Sequence, residues 1–198
     1  EYYKGGTEQL WHVPPGEAPR LYTAEEGWKP LKIWGMGIAS GDVNGDGYPD
    51  YFLTSMADHK LQVMAGEPDK ATFKDIAFPL HATAHLPYTG GDIRPSTGWH
   101  AEFQDVNDDG RPDLFVAKGN VSEMPDFAMK DPNNLMLMQP DGTFAEVGDK
   151  AGVASLRIAR GAAVTDLNDD GRVDIVVVNR NDGAEVWRNS GAALDGGT

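Results

Sequence analysis

The chain has 198 residues, a formal charge of −14 and no cysteine, with 24 glycines and 13 prolines between short apolar runs. That length allows one domain with a real core, and the missing cysteines exclude a disulfide framework and a thiolate metal site. The acidity argues against nucleic acid, whose phosphates it would repel, and no apolar run is long enough for membrane insertion.

In chain order, residues 8–13 and 19–22 read as two short strands. A strand of small residues at 35–41 then leads into Asp42-Val43-Asn44-Gly45-Asp46-Gly47-Tyr48-Pro49-Asp50. The β-branched and aromatic run after it predicts a strand over 51–53, and further strands follow at 60–64 and 71–76. The same order recurs. A strand at 99–104 enters Asp105-Val106-Asn107-Asp108-Asp109-Gly110-Arg111-Pro112-Asp113, with strands at 114–116, 134–138 and 142–147 behind it. A third round has a strand at 161–165, the loop Asp166-Leu167-Asn168-Asp169-Asp170-Gly171-Arg172-Val173-Asp174, and strands at 175–178 and 184–188.

Each loop reads D-x-N-x-D-G-x-x-D. Oxygen side chains at positions 1, 3, 5 and 9, with glycine at 6, suit a hard cation such as calcium, which takes several oxygens, some anionic. Glycine permits the left-handed turn that wraps the loop. The expected ligands are Asp42, Asn44, Asp46 and Asp50; Asp105, Asn107, Asp109 and Asp113; and Asp166, Asn168, Asp170 and Asp174. The main-chain carbonyls of Tyr48, Arg111 and Arg172 would add a fifth oxygen. About three calcium ions are expected, one per loop. Position 12 holds Leu53, Val116 and Val177, and the flanks are strands, so the loops are not EF-hands.

The loops begin 63 and 61 residues apart, and strands recur in register between them. Four strands per repeat predict blades of a β-propeller. The whole of 1–198 is read as one propeller segment of about three four-stranded repeats, centred on 42–50, 105–113 and 166–174. Only two strands precede the first full repeat and only three make up the last, so an incomplete propeller is expected. Its open ends would be covered by a protein partner or by the remaining blades of the same propeller, because an uncovered sheet edge invites association.

With Gly37-Ile38-Ala39-Ser40-Gly41 leading into the first loop, the repeats resemble the FG-GAP repeats of integrin α subunits and the related VCBS repeats. Asp141-Gly142-Thr143-Phe144-Ala145-Glu146-Val147, followed by Ala151-Gly152-Val153, is similar to the cartilage acidic protein and ASPIC/UnbV family. The resemblance implies an extracellular, cell-surface or periplasmic propeller with calcium between the first two strands of a blade. In that family the segment after Trp187-Arg188-Asn189 runs on into a further domain. His100 and Glu102 depart from the small residues expected of an inner strand.

Two stretches outgrow the repeat, and such loops tend to carry contacts. One holds His81, His85 and Arg94. The other, 121–132, holds Met124, Phe127 and Met129, which read as an exposed apolar patch whose deletion over 122–131 would spare the fold. His81, His85 and His100 are candidates for a transition-metal or acid/base site, set against ordinary exposed histidines. Trp11 and Trp187 hold equivalent places and are expected between blades, while Trp28, Trp34 and Trp99 could stack on sugars. The sequon at Asn120 is close to chance.

No nucleophile elbow, zincin or phosphate-loop motif occurs. The function expected is a non-catalytic, calcium-binding module for protein contacts. The alternative is a carbohydrate-binding or lyase-like propeller with a glycan partner.

Overall fold

A computed structural model describes residues 7–67 and 70–191. Among them the chain is all-β, with thirteen strands in four antiparallel sheets. Strands β1 (Trp11–His12) and β2 (Arg20–Leu21) form a hairpin. A single 3-10 turn, Ala24–Glu26, follows it. Strands β3 (Gly35–Gly41), β4 (Asp50–Ser55), β5 (Lys60–Met64) and β6 (Phe73–Asp75) make the first full sheet, in chain order. The second holds β7 (Gly98–Gln104), β8 (Asp113–Lys118), β9 (Asn134–Met138) and β10 (Phe144–Glu146). The third has β11 (Ala159–Thr165), β12 (Asp174–Asn179) and β13 (Glu185–Trp187). The strands expected from sequence all form, each within a few residues of the anticipated ends, and the sheets are blades of an incomplete β-propeller. The part of the glycine-rich tail at 192–198 lies outside the described residues.

The blades stack face on face, and alternation along each strand decides what meets what. Residues Phe52, Leu61 and Val63 of the first blade face Leu114, Val116, Met136, Met138 and Phe144 of the second, all buried. Phe115, Ala117 and Leu135 leave the opposite side of the second blade and meet Val164, Ile175 and Val177 of the third. The two middle strands of the second blade, β8 and β9, are therefore buried on both faces. That is why β8 reads as a continuous apolar run instead of an alternating one.

The inner strand β7 adjoins β3 on one side and β11 on the other. A side-chain carbon at Gly37 would lie 2.1 Å from the Trp99 carbonyl oxygen, so only glycine allows this approach. Thr54 fastens the same contact, accepting the Gly37 N–H at 2.8 Å and donating to the Trp99 carbonyl at 2.6 Å. Each inner strand also carries a register shift near its start, which the sequence reading did not foresee. Glu102 departs from the small-residue pattern because it accepts the Val164 N–H of the next blade at 3.0 Å.

One expectation on the core is overturned. Trp187 packs against the second core, but Trp11 is 50% exposed. The two are equivalent in register. The β1–β2 hairpin, however, has no inner strands to carry Trp11 into a core between blades.

Candidate functional site

All three acidic loops join the first two strands of a blade and close in the same way. At position 1, the carboxylates of Asp42, Asp105 and Asp166 each accept the N–H groups of positions 5 and 6. The bonds to Asp46 and Gly47 are 3.0 and 2.8 Å. Those to Asp109 and Gly110 are 3.0 and 2.8 Å, and those to Asp170 and Gly171 are 3.2 and 2.8 Å. The amide oxygens of Asn44, Asn107 and Asn168 accept the position-5 N–H. Asp46, Asp109 and Asp170 accept the N–H of Tyr48, Arg111 and Arg172.

Position 6 is left-handed, as glycine there implies, with φ of 84°, 81° and 86° at Gly47, Gly110 and Gly171. Position 4 is left-handed as well, at Gly45 (73°), Asp108 (59°) and Asp169 (58°). The signal was present, since glycine and aspartate are among the residues that tolerate this region. A β-branched residue would not. Asp108→Val is expected to cost about 1–2 kcal/mol and Asp108→Gly to be close to neutral. Urea denaturation of the two variants checks this, and equal midpoints would refute it.

Position 9 turns out to be a structural staple. Asp50, Asp113 and Asp174 are buried, and each carboxylate ties its loop to its own third strand. Asp50 accepts the Val43 and Met64 N–H groups at 2.9 and 3.1 Å. Asp113 accepts Val106 and Met138 at 3.0 and 2.8 Å, and Asp174 accepts Leu167 and Asn189 at 3.2 and 2.8 Å. Burial pushes the Asp113 carboxyl up to about 6, against the pull of those amides, and the charges of Asp109 and Asp105 add to the rise. Asp50 moves in the same direction for the same first reason.

The loops differ at position 7. Arg111 donates Nε–H to the Met138 carbonyl at 3.0 Å and pairs with Asp109. Arg172 likewise reaches the Asn189 carbonyl at 3.2 Å and Asp170 at 2.9 Å, where Arg188 joins it. Tyr48 brings no such charge, so the loop at 42–50 keeps the least compensated carboxylates. Among the described residues, no group of three or more His, Cys, Asp or Glu stands together as a metal cluster. The donor set is nonetheless that of a hard-cation loop. In the first two loops each position-1 carboxylate oxygen uses one lone pair on an amide and keeps a second, while in the third Asp166 Oδ1 accepts from both Asn168 and Asp170.

Strand directions place the two long insertions at the end opposite the acidic loops, and there they form one body. Asp92 accepts from Arg94 at 2.9 and 2.7 Å and from the Met129 N–H at 2.9 Å. The Arg94 guanidinium holds its carboxyl well below the usual range. Asp131 accepts from Ser96 Oγ and the Thr97 N–H, each at 2.8 Å, and its Oδ1 lies 2.9 Å from Lys118 Nζ. Both charged groups of that pair are fully buried. Phe127 is buried beside Trp34. Phe127, Ala128 and Asp131 are thus core, with Met124 and Met129 half-buried, and the expectation of a dispensable exposed patch is overturned.

The side-chain amide of buried Asn120 donates to the carbonyls of Met124 and Phe127, so it offers no glycan acceptor in the folded chain. The three histidines do not converge: His85 pairs with Asp58, His100 with Glu102 at 3.3 Å, and among the described residues His81 belongs to no cluster of metal-ligating side chains. The Trp99 ring is covered by the Arg160 guanidinium at 4.1 Å, and Trp28 meets Phe73 edge-on. Trp34 is the most open of the three at 39%. Sequence reasoning missed His59, which is fully buried and held neutral by burial at about 3. It also missed Lys118, because a lysine that ends an apolar run reads as the solvated end of a strand.

The family model described as an FG-GAP-like repeat matches residues 42–116 and 105–177, together more than two thirds of the chain. No curated protein matches it.

Proposed function

The chain belongs to the FG-GAP-like repeat family, and from that premise we propose that it is a calcium-loaded, non-catalytic propeller segment serving protein contacts outside the cytoplasm. The observation that carries this reading is the threefold repetition of one loop: the same donors, the same left-handed positions and the same amide cradle. Asp42, Asn44, Asp46 and Asp50, with their counterparts in the other two loops and the carbonyls of Tyr48, Arg111 and Arg172, would hold the ions. A bound cation supplies charge neutralisation where several carboxylates crowd one turn. The loops lack the bidentate position-12 glutamate of sensor sites, so weak sites are expected. Such sites fill where calcium is near millimolar, which is the basis for the extracellular, cell-surface or periplasmic assignment.

Interaction is the reading for the rest of the surface because the last blade offers an uncovered face. Phe52 and Phe115 are equivalent positions on successive blades, each buried by the blade that follows. Their counterpart in the third blade is Val176, flanked in register by Ala163 and Val186. Val186 is 64% and Val178 55% exposed. A face that the repeat otherwise buries is open, and a partner protein or further blades would cover it.

Calcium is expected to stabilise the fold. Free ion at 100 times Kd contributes about 2.7 kcal/mol per site by linkage. Differential scanning calorimetry with calcium and then after verified chelation should show a clear fall in Tm. Unchanged melting would remove the ion from this account.

A further inference from the structure

The first two full blades end in an outer strand with a shared chemical pattern: aromatic, any residue, acid, aliphatic. It is Phe73-Lys74-Asp75-Ile76 in one and Phe144-Ala145-Glu146-Val147 in the other. The pattern does the same things twice. The acid accepts the outward N–H of the third strand, Leu61 to Asp75 at 3.2 Å and Leu135 to Glu146 at 3.0 Å. The aliphatic residue donates its N–H to the carbonyl of that same leucine, at 2.8 Å in both. In the second blade the aromatic ring drops between blades and joins the core beside Met136 and Met138.

The third blade has no such strand among the described residues, and nothing pairs with the outer edge of β13. Register makes Val186 the counterpart of Leu61 and Leu135, and Trp187 that of Met136. The place an outer-strand ring would fill is a cleft of about 680 Å3 between the second and third blades. Leu135, Leu137, Val153, Ile175 and Trp187 line it, and Lys150, Arg172 and Arg188 stand at its rim.

We propose that this edge and cleft bind an extended strand of a partner polypeptide carrying the aromatic-x-acid-aliphatic pattern. The strand adds antiparallel to β13. Its acid takes the Val186 N–H, its aliphatic residue donates to the Val186 carbonyl, and its aromatic ring enters the cleft. Backbone bonds then supply affinity and the aromatic pocket supplies specificity, as in other strand-addition complexes. The inference rests on the protein-contact reading and gives it a partner chemistry, continuous with the interface the chain already builds twice.

The test is titration of the full chain with a synthetic peptide of residues 141–149, which carries the pattern and three acids. Tryptophan fluorescence and backbone amide shifts report on Trp187 and its neighbours. Saturable binding with shifts confined to residues 185–189 and the cleft is expected. Peptides with the Phe144→Ala or Glu146→Ala change should bind at least tenfold more weakly. In the protein, Val186→Pro removes an outward N–H that β12 does not use, and an edge strand tolerates proline. It should abolish peptide binding while leaving the far-UV spectrum intact. No binding at millimolar peptide, or equal binding by the Phe144→Ala peptide, overturns the proposal. Running the titration with and without chelator separates this outcome from failure of the calcium reading.

Discussion

Asp131→Ala is expected to be the most damaging single change at the insertion end of the molecule. It leaves the Lys118 ammonium fully buried without its only ion-pair partner among the described residues, and frees the Ser96 hydroxyl and Thr97 N–H. Breaking a buried pair from one side costs about 3–5 kcal/mol. Domains have about 5–15 kcal/mol of total stability, so the variant should be largely unfolded or melt far below the parent. Replacing both partners, Lys118→Met with Asp131→Leu, removes the stranded charge and should recover most of the loss. Urea denaturation of the single and double variants decides the matter. A single variant within about 1 kcal/mol of the parent would show that the pair does not hold the insertions.

Phe115→Ala should cost about 3–5 kcal/mol, because it opens a cavity in the packed core between the second and third blades. Val186→Ala lies on the face where the equivalent of that core is missing, and should change stability by less than about 0.5 kcal/mol in the isolated chain. The contrast matters more than either value. It separates a face buried between two blades from one that is exposed among the described residues. In a complex that covers the third blade, Val186→Ala should weaken association. Equal and large losses for both variants in the isolated chain would mean that the face is already covered.

The sequence by itself determined the strand order, the open ends and the three loops. These features are written locally. Alternation over four to six residues marks a strand, a glycine at a fixed offset marks a left-handed turn, and the internal repeat aligns one blade with the next. The aromatic-x-acid-aliphatic outer strand was visible as Phe73 and Phe144 in equivalent strands, though not the hydrogen bonds that give it meaning. Only the tertiary structure decided the rest. It buried Lys118 against Asp131 and knit two loops into one body through Asp92. It turned Asp50, Asp113 and Asp174 from simple loop oxygens into staples to the third strand, and gave His85 and His100 separate acidic partners. Each of these depends on which of many acidic groups reaches a given donor across tens of residues. In a chain of charge −14 every lysine or arginine has several carboxylates to choose from. Local pattern cannot rank them; desolvation does, because a buried cation is stable only where a carboxylate, and a buried amide only where some acceptor, is held within bonding distance by the packing around it.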